Sequence, residues 1–283
     1  MKRMTPIVVQ ATKTGVSHEV IGGMNQDSSA YWCDDKSRIA IIALADGVGS
    51  VKYAKQGASL AVNTVRREAD RMAKNIRERL GCRLTQSNEL ELAIDAKKLC
   101  YKLLDHAQKK ILRFANVDKY RKESAPKPED AFATTLMITI LTDQWCSVLQ
   151  VGDGFCIARA HGSNEDIPLA LPVRIGLEQL VWPITFGPLS ELETRDAISY
   201  RFLQIDRPSL FCSTDGLMDL ALEMPSMIPH AAFFDPFFTY LSSPEYKYST
   251  QHQRKQPLCE FLSSQAVRRR AHDDLTIVMA TTN

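Results

Sequence analysis

The sequence predicts an α+β chain in which two β-sheets share one core and helices pack outside them. Three observations carry this reading: strand patterns fill the first 45 residues, two long helical patterns follow, and strand patterns then resume. The opening strands are predicted over residues 7–11, 28–32 and 38–45, and the third is too continuously apolar to have a wet face, so it belongs inside a sheet. Between residues 53 and 80, Ala54, Ala58, Ala61, Val65, Ala69, Met72, Ile76 and Leu80 recur every three or four positions, which predicts one long amphipathic helix. A second helix is predicted after Asn88, read as its N-cap with Glu91 as capping-box partner, and carries the stripe Ala96, Leu99, Leu103, Ala107 and Ile111. Residues 118–130, polar and holding Pro126 and Pro128, read as a surface loop. Strands are then predicted over 132–141, 145–151, 155–160, 198–205 and 209–213, with a helical stretch over 217–224 and a closing strand over 275–280. Residues 223–272 hold five of the 13 prolines and read as irregular.

Composition narrows the class. The 283 residues are 45% hydrophobic and 24% charged, as in ordinary globular proteins. The longest apolar run, residues 39–45, is far short of the ~20 residues of a membrane-spanning helix. The basic start Met1-Lys2-Arg3 has no apolar stretch behind it, so no secretory signal is read and a cytoplasmic location is expected. Seven scattered cysteines without a Cys-x-x-Cys pair argue against a zinc cluster and a disulfide framework. Thirty-five basic against 33 acidic side chains leave a formal charge of +2, too little for a general nucleic-acid binder. Arg66, Arg67, Arg71, Lys74, Arg77 and Arg79, interleaved with Glu68, Asp70 and Glu78, fit a solvated helix face.

Four aspartates stand where apolar strand patterns break: Asp46, Asp153, Asp215 and Asp273. Three precede glycine, and each Asp-Gly pair alone reads most simply as turn chemistry. Taken together with Asp27 they read differently. Carboxylates gathered without His or Cys partners repel one another, and hard divalent cations that prefer oxygen ligands relieve this, so magnesium or manganese is favoured over zinc. Two such ions about 4 Å apart hold a bridging hydroxide for in-line attack on phosphorus, which implies hydrolysis of a phosphate ester.

The blocks Asn25-Gln26-Asp27-Ser28, Ala45-Asp46-Gly47-Val48-Gly49-Ser50, Ala133-Thr134-Thr135-Leu136, Val151-Gly152-Asp153, Ser213-Thr214-Asp215-Gly216 and Asp273-Asp274-Leu275-Thr276 resemble, in order, the motifs of metal-dependent serine/threonine protein phosphatases of the PPM family, type 2C. With Gly15-Val16-Ser17-His18 ahead of them, the chain looks most like the bacterial branch. The resemblance implies a four-layer αββα fold of two antiparallel sheets with helix pairs on their outer faces, formed by residues 1–283 as a single domain with a variable segment at about 223–272.

It also implies roles. Asp46 bridges two Mn2+ or Mg2+ ions, Gly47 gives its carbonyl to one, Asp215 and Asp273 hold the other, and Asp27 acts through water. Asp153 matches the position of a third, weaker ion, while its place between two strand patterns equally fits a hairpin tip. The substrate implied is phosphoserine or phosphothreonine on a protein, with an opposing Ser/Thr kinase; oligomeric state is not implied. Departures from the family pattern motivate the alternative of a catalytically weak phosphoprotein-binding or regulatory module. Many members carry an arginine that grips phosphate where Gly22 stands, and some have a general-acid histidine where Val48 stands. Gln26 replaces the more usual Glu. His18, near the first motif, is the candidate for either missing function, with Arg268, Arg269 and Arg270 as a second source of phosphate contacts.

Overall fold

Alternate residues of the third strand pattern face two different partners, and this explains its unbroken apolar character. In the computed structural model, which describes residues 5–49, 51–123, 127–173 and 181–282, strand β3 (Ile39–Ala45) is buried at every position. Ile39, Ile41, Ala43 and Ala45 pack against helices, whereas Ala40, Ile42 and Leu44 pack into the space between two sheets. Its sheet has the order β2 (Ser28–Asp34), β3, β4 (Leu136–Leu141), β5 (Trp145–Val151) and β8 (Ile198–Gln204). The facing sheet runs β1 (Ile7–Lys13), β12 (Leu275–Thr281), β9 (Ser209–Ser213), β6 (Phe155–Arg159) and β7 (Ile167–Ala170). Neighbouring strands in both are antiparallel.

Helices α2 (Ala54–Arg71), α3 (Ala73–Leu80) and α4 (Glu89–Ala115) cover the β3 side. The apolar stripe over 53–80 is continuous, but two helices carry it, with the break at Met72. The break is slight, because Met72 N–H still reaches Glu68 O and Ile76 N–H reaches Met72 O. The capping box at Asn88 does not form. Its side chain turns back, accepting from Thr85 N–H at 2.7 Å and donating to Arg83 O at 2.9 Å, a local loop competing with the cap. The predicted loop 118–130 contains α5 (Asp118–Glu123) and a 3-10 turn (Pro128–Phe132), because the rings of Tyr120 and Phe132 pack against those of Tyr53 and Phe114. Phe132 thus precedes the strand instead of starting it.

The other outer face corrects the reading of 223–272 as irregular. After α7 (Met218–Ala221), which is one turn where 217–224 was expected to be helical, and a two-stranded ribbon of β10 (Leu222–Glu223) and β11 (Ile228–Pro229), four helices follow. These are α8 (Ala231–Ser242), α9 (Pro244–Tyr248), α10 (Gln251–Ser263) and α11 (Gln265–Arg268). Phe234, Phe237, Phe238, Leu241, Tyr246, Leu258 and Leu262 bury against β6, β9 and β12, so packing outweighs the breaks that Pro236 and Pro257 impose inside α8 and α10. Helices α1 (Val16–Val20) and α6 (Leu189–Thr194) and strand β7 lack a long enough pattern to be read from sequence.

All seven cysteines are free, four of them buried. Of the basic residues on α2 and α3, Arg77 forms a two-point pair with Asp34 at 2.7 and 2.8 Å, and Arg71, Lys74 and Arg79 have acidic partners. No described helix is long and apolar enough to cross a membrane. Ser50, Pro126 and Met1–Met4 lie outside the described residues.

Candidate active site

Strand register brings the aspartates to one end of the sandwich. Ser28 opposes Ala45 across β2 and β3, which sets Asp27 beside Asp46. Ser213 is opposed by Phe155 on one side and Ile277 on the other, which sets Asp215, Asp153 and the Asp273-Asp274 pair at the same end of the facing sheet. Since β5 and β6 lie in different sheets, Asp153-Gly154 is a crossing between layers, and the hairpin reading is overturned.

Two groups result. Carboxylate oxygens of Asp46, Asp153 and Asp215 lie within 4.8 Å of one another. The backbone of Asp46 is fixed by the Thr134-Thr135 block: its N–H donates to Thr135 Oγ1 at 2.9 Å, and its carbonyl accepts from Thr135 N–H and Thr134 Oγ1 at 2.8 Å each. Gly47 bridges Thr134 directly. Asp27 is buried next to this group, accepts from Thr214 Oγ1 at 2.8 Å, and leaves its Oδ1 without a donor, as does Asp215.

The second group joins His18, the rim residue Asp273 and the buried Asp274. Asp274 accepts from Gly15 N–H at 2.7 Å and Gln26 N–H at 2.6 Å, and its Oδ2 lies 2.9 Å from His18 Nδ1. Asp273 joins His18 and Asp274 in this second group, and its charge also acts on Asp46 and Asp215 of the first. Gly216 lets these segments meet, because a Cβ there would stand 2.1 Å from Asp274 O.

The electrostatics describe a deficit of positive charge. Burial pushes Asp27 up to about 7, reinforced by Asp274 and opposed by hydrogen bonds from Thr276 and Thr214. Burial and the neighbouring aspartates Asp153, Asp273 and Asp27 push Asp215 up to about 8. Asp46 is held well above the carboxylate range by burial and then by Asp27, Asp215, Asp273 and Asp153. Convergent oxygens, two of them buried and orphaned, are a donor set that suits a hard divalent cation.

A family model described as Protein phosphatase 2C matches residues 14–263. The chain belongs to the protein phosphatase 2C family. Serine/threonine-protein phosphatase 3 of Escherichia coli K12 is 28% identical over 281 residues, covering 96% of this chain and 97% of that protein. The fold matches the serine/threonine phosphatase of S. agalactiae with TM-score 0.61 at 15% identity, covering 98% of this chain and all of that one. It also matches the catalytic domain of the serine/threonine protein phosphatase PstP, solved with two manganese ions, with TM-score 0.57 at 14% identity and 98% coverage of both chains. By family the protein is a serine/threonine protein phosphatase of the bacterial PPM type.

Within this phosphatase, the position five residues before Asp27 is not part of the site. Gly22 has φ +69° in an exposed turn and nothing within 4 Å of where a Cβ would stand. His18 is the side chain that reaches the acidic end, with its Nε2 toward Gly49. Arg268 is committed elsewhere, donating to Thr14 O at 2.6 Å and pairing with Glu19, while Arg269 and Arg270 are exposed. Two functional candidates escaped the sequence reading. Asp274 was visible as half of an Asp-Asp doublet. Lys55 stands in the first turn of α2, a position disfavoured for a cation, and donates from Nζ to Asp27 O at 2.5 Å. Burial lowers its ammonium group against the pull of Asp27 and Asp274.

Proposed function

We propose that this phosphatase hydrolyses phosphoserine and phosphothreonine on proteins with two bound Mn2+ or Mg2+ ions. The observation that carries the reading is the convergence of Asp46, Asp153 and Asp215 within 4.8 Å beside buried carboxylate oxygens without donors. Asp46 and the Gly47 carbonyl would hold the ions, Asp215 and Asp273 would complete one of them, Asp27 would act at one remove through water, and Asp153 would serve a third, weaker ion. When bound, the ions supply activation of water and neutralisation of phosphoryl charge.

The residues around them orient the substrate. Asp274 fixes the His18 ring through Nδ1, leaving Nε2 for the substrate, either to hold a phosphoryl oxygen or to give a proton to the serine oxygen as its bond to phosphorus breaks. Lys55 adds positive charge beside Asp27. The products are free hydroxyl and inorganic phosphate. Retention of Asp46, Asp215 and Asp273 favours hydrolysis over a binding module that has abandoned chemistry.

The test is release of phosphate from a phosphoserine peptide and from a small aryl phosphate, compared in manganese, magnesium, calcium and chelator. Turnover should require manganese or magnesium and return when chelator is removed. Full turnover in metal-free protein would remove the two-metal reading.

A further inference from the structure

Helix α1 buries none of its five residues, and a helix this short has no stability of its own. Polar ties on one side hold it in place. Gly15 N–H and His18 Nδ1 meet Asp274, Ser17 N–H and Oγ both donate to His272 O at 3.0 and 2.6 Å, and Glu19 pairs with Lys13 at 3.2 Å and with Arg268. The turn behind it is closed by Gly22 N–H to Glu19 O at 3.1 Å and Gly23 N–H to His18 O at 2.7 Å. On the open side stand Val20, Ile21 and Met24, exposed to 81%, 77% and 68%. Three large apolar side chains within five residues are thus presented to water by a segment pinned through its polar groups.

We propose that Val20, Ile21 and Met24 form an apolar lip that receives side chains flanking the phosphorylated residue, so that the phosphatase selects substrates with apolar neighbours beside phosphoserine or phosphothreonine. This rests on the function proposed above. The segment that carries the lip is tied to the site at both ends: His18 before it and Gln26 after it both contact Asp274, next to Asp273. A phosphoserine side chain is only a few bonds long, so the main chain carrying it crosses the rim of the acidic end, and its neighbours fall on whatever lines that rim. The charges at the base of the lip, Lys13, Glu19 and Arg268, are spent on one another, which leaves apolar contact as the feature offered.

The test uses a triple variant, V20S/I21S/M24S, whose exposed positions leave folding intact, checked by its melting temperature. Kinetics are measured on a phosphoserine peptide with Leu or Val flanks, on the same peptide with Ser and Gly flanks, and on an aryl phosphate. The wild type should prefer the apolar peptide about tenfold or more in kcat/KM, and the variant should lose that preference while its aryl phosphate turnover and manganese affinity stay unchanged. Equal wild-type rates on both peptides, or a preference that survives in the variant, would overturn the lip. Binding of the apolar phosphopeptide, followed by fluorescence anisotropy, separates the two readings: without turnover on any substrate the function fails, yet the lip still requires binding that the variant loses. Light scattering that shows a wild-type dimer and a monomeric variant would assign the lip to a second copy and also overturn the proposal.

Discussion

His18 Nδ1 and Asp274 Oδ2 lie 2.9 Å apart although 256 residues separate them in the chain. The same carboxylate takes the N–H groups of Gly15 and Gln26, so one buried side chain fastens α1, the histidine and the residue before Asp27. Asp274→Asn should destabilise the protein by about 1.5–3 kcal/mol through loss of hydrogen bonds to a charged acceptor, read from denaturant midpoints. Its effect on kcat/KM should be non-additive with that of His18→Ala, and additivity of the two would separate the histidine from its partner.

His18→Ala should lower kcat/KM on a phosphoserine peptide by about 1.5–3 kcal/mol of transition-state stabilisation, with manganese affinity little changed. A defect that shrinks on an aryl phosphate, whose leaving group needs little protonation, assigns proton donation to Nε2. An equal defect on both substrates assigns phosphate binding. Wild-type rates on both would remove His18 from the chemistry.

Asp46→Asn and Asp215→Asn should each reduce turnover by orders of magnitude while the protein stays folded. In chelator the same variants should melt higher than wild type, because each removes a carboxyl that the folded chain must either protonate or hold charged beside other carboxylates. A lower melting point in chelator would contradict the repulsion.

Metal-free stability should fall as pH rises. The carboxyls of Asp27 and Asp215 are pushed up to about 7 and about 8, whereas unfolded aspartate titrates near about 4. Between those limits the folded chain retains protons that the unfolded chain has released, so each pH increment from about 4 to about 8 favours unfolding. Melting curves in chelator at pH 5 and pH 8 check this, and a flat or rising profile would refute it. Manganese should bind more tightly at the higher pH and displace protons as it does so.

Gly216→Ala should destabilise the fold by about 1–3 kcal/mol, since its Cβ would meet the Asp274 carbonyl at 2.1 Å and backbone must move to make room. The shift would also displace Asp274, so His18-dependent activity should fall with stability. Unchanged melting and turnover would show that the two segments yield without strain.

Local patterning alone reveals where chain segments alternate between two environments. The doubly apolar β3, the stripe from Ala54 to Leu80 and the aspartates at strand ends were all legible, because burial period and charge placement are written locally. Order among the elements was not. Asp153-Gly154 has the composition of a hairpin tip, and only the assignment of β5 and β6 to opposite sheets makes it a crossing at the acidic end. Pro236 and Pro257 signal breaks, but the burial of Phe234, Phe237 and Leu258 against a distant sheet outweighs them. Asp274 likewise has no local sign of its three partners, which arrive from residues 15, 18 and 26. Pairing between segments hundreds of residues apart sets these contacts, and its free energy comes from surfaces that exist only once the two sheets have closed on each other.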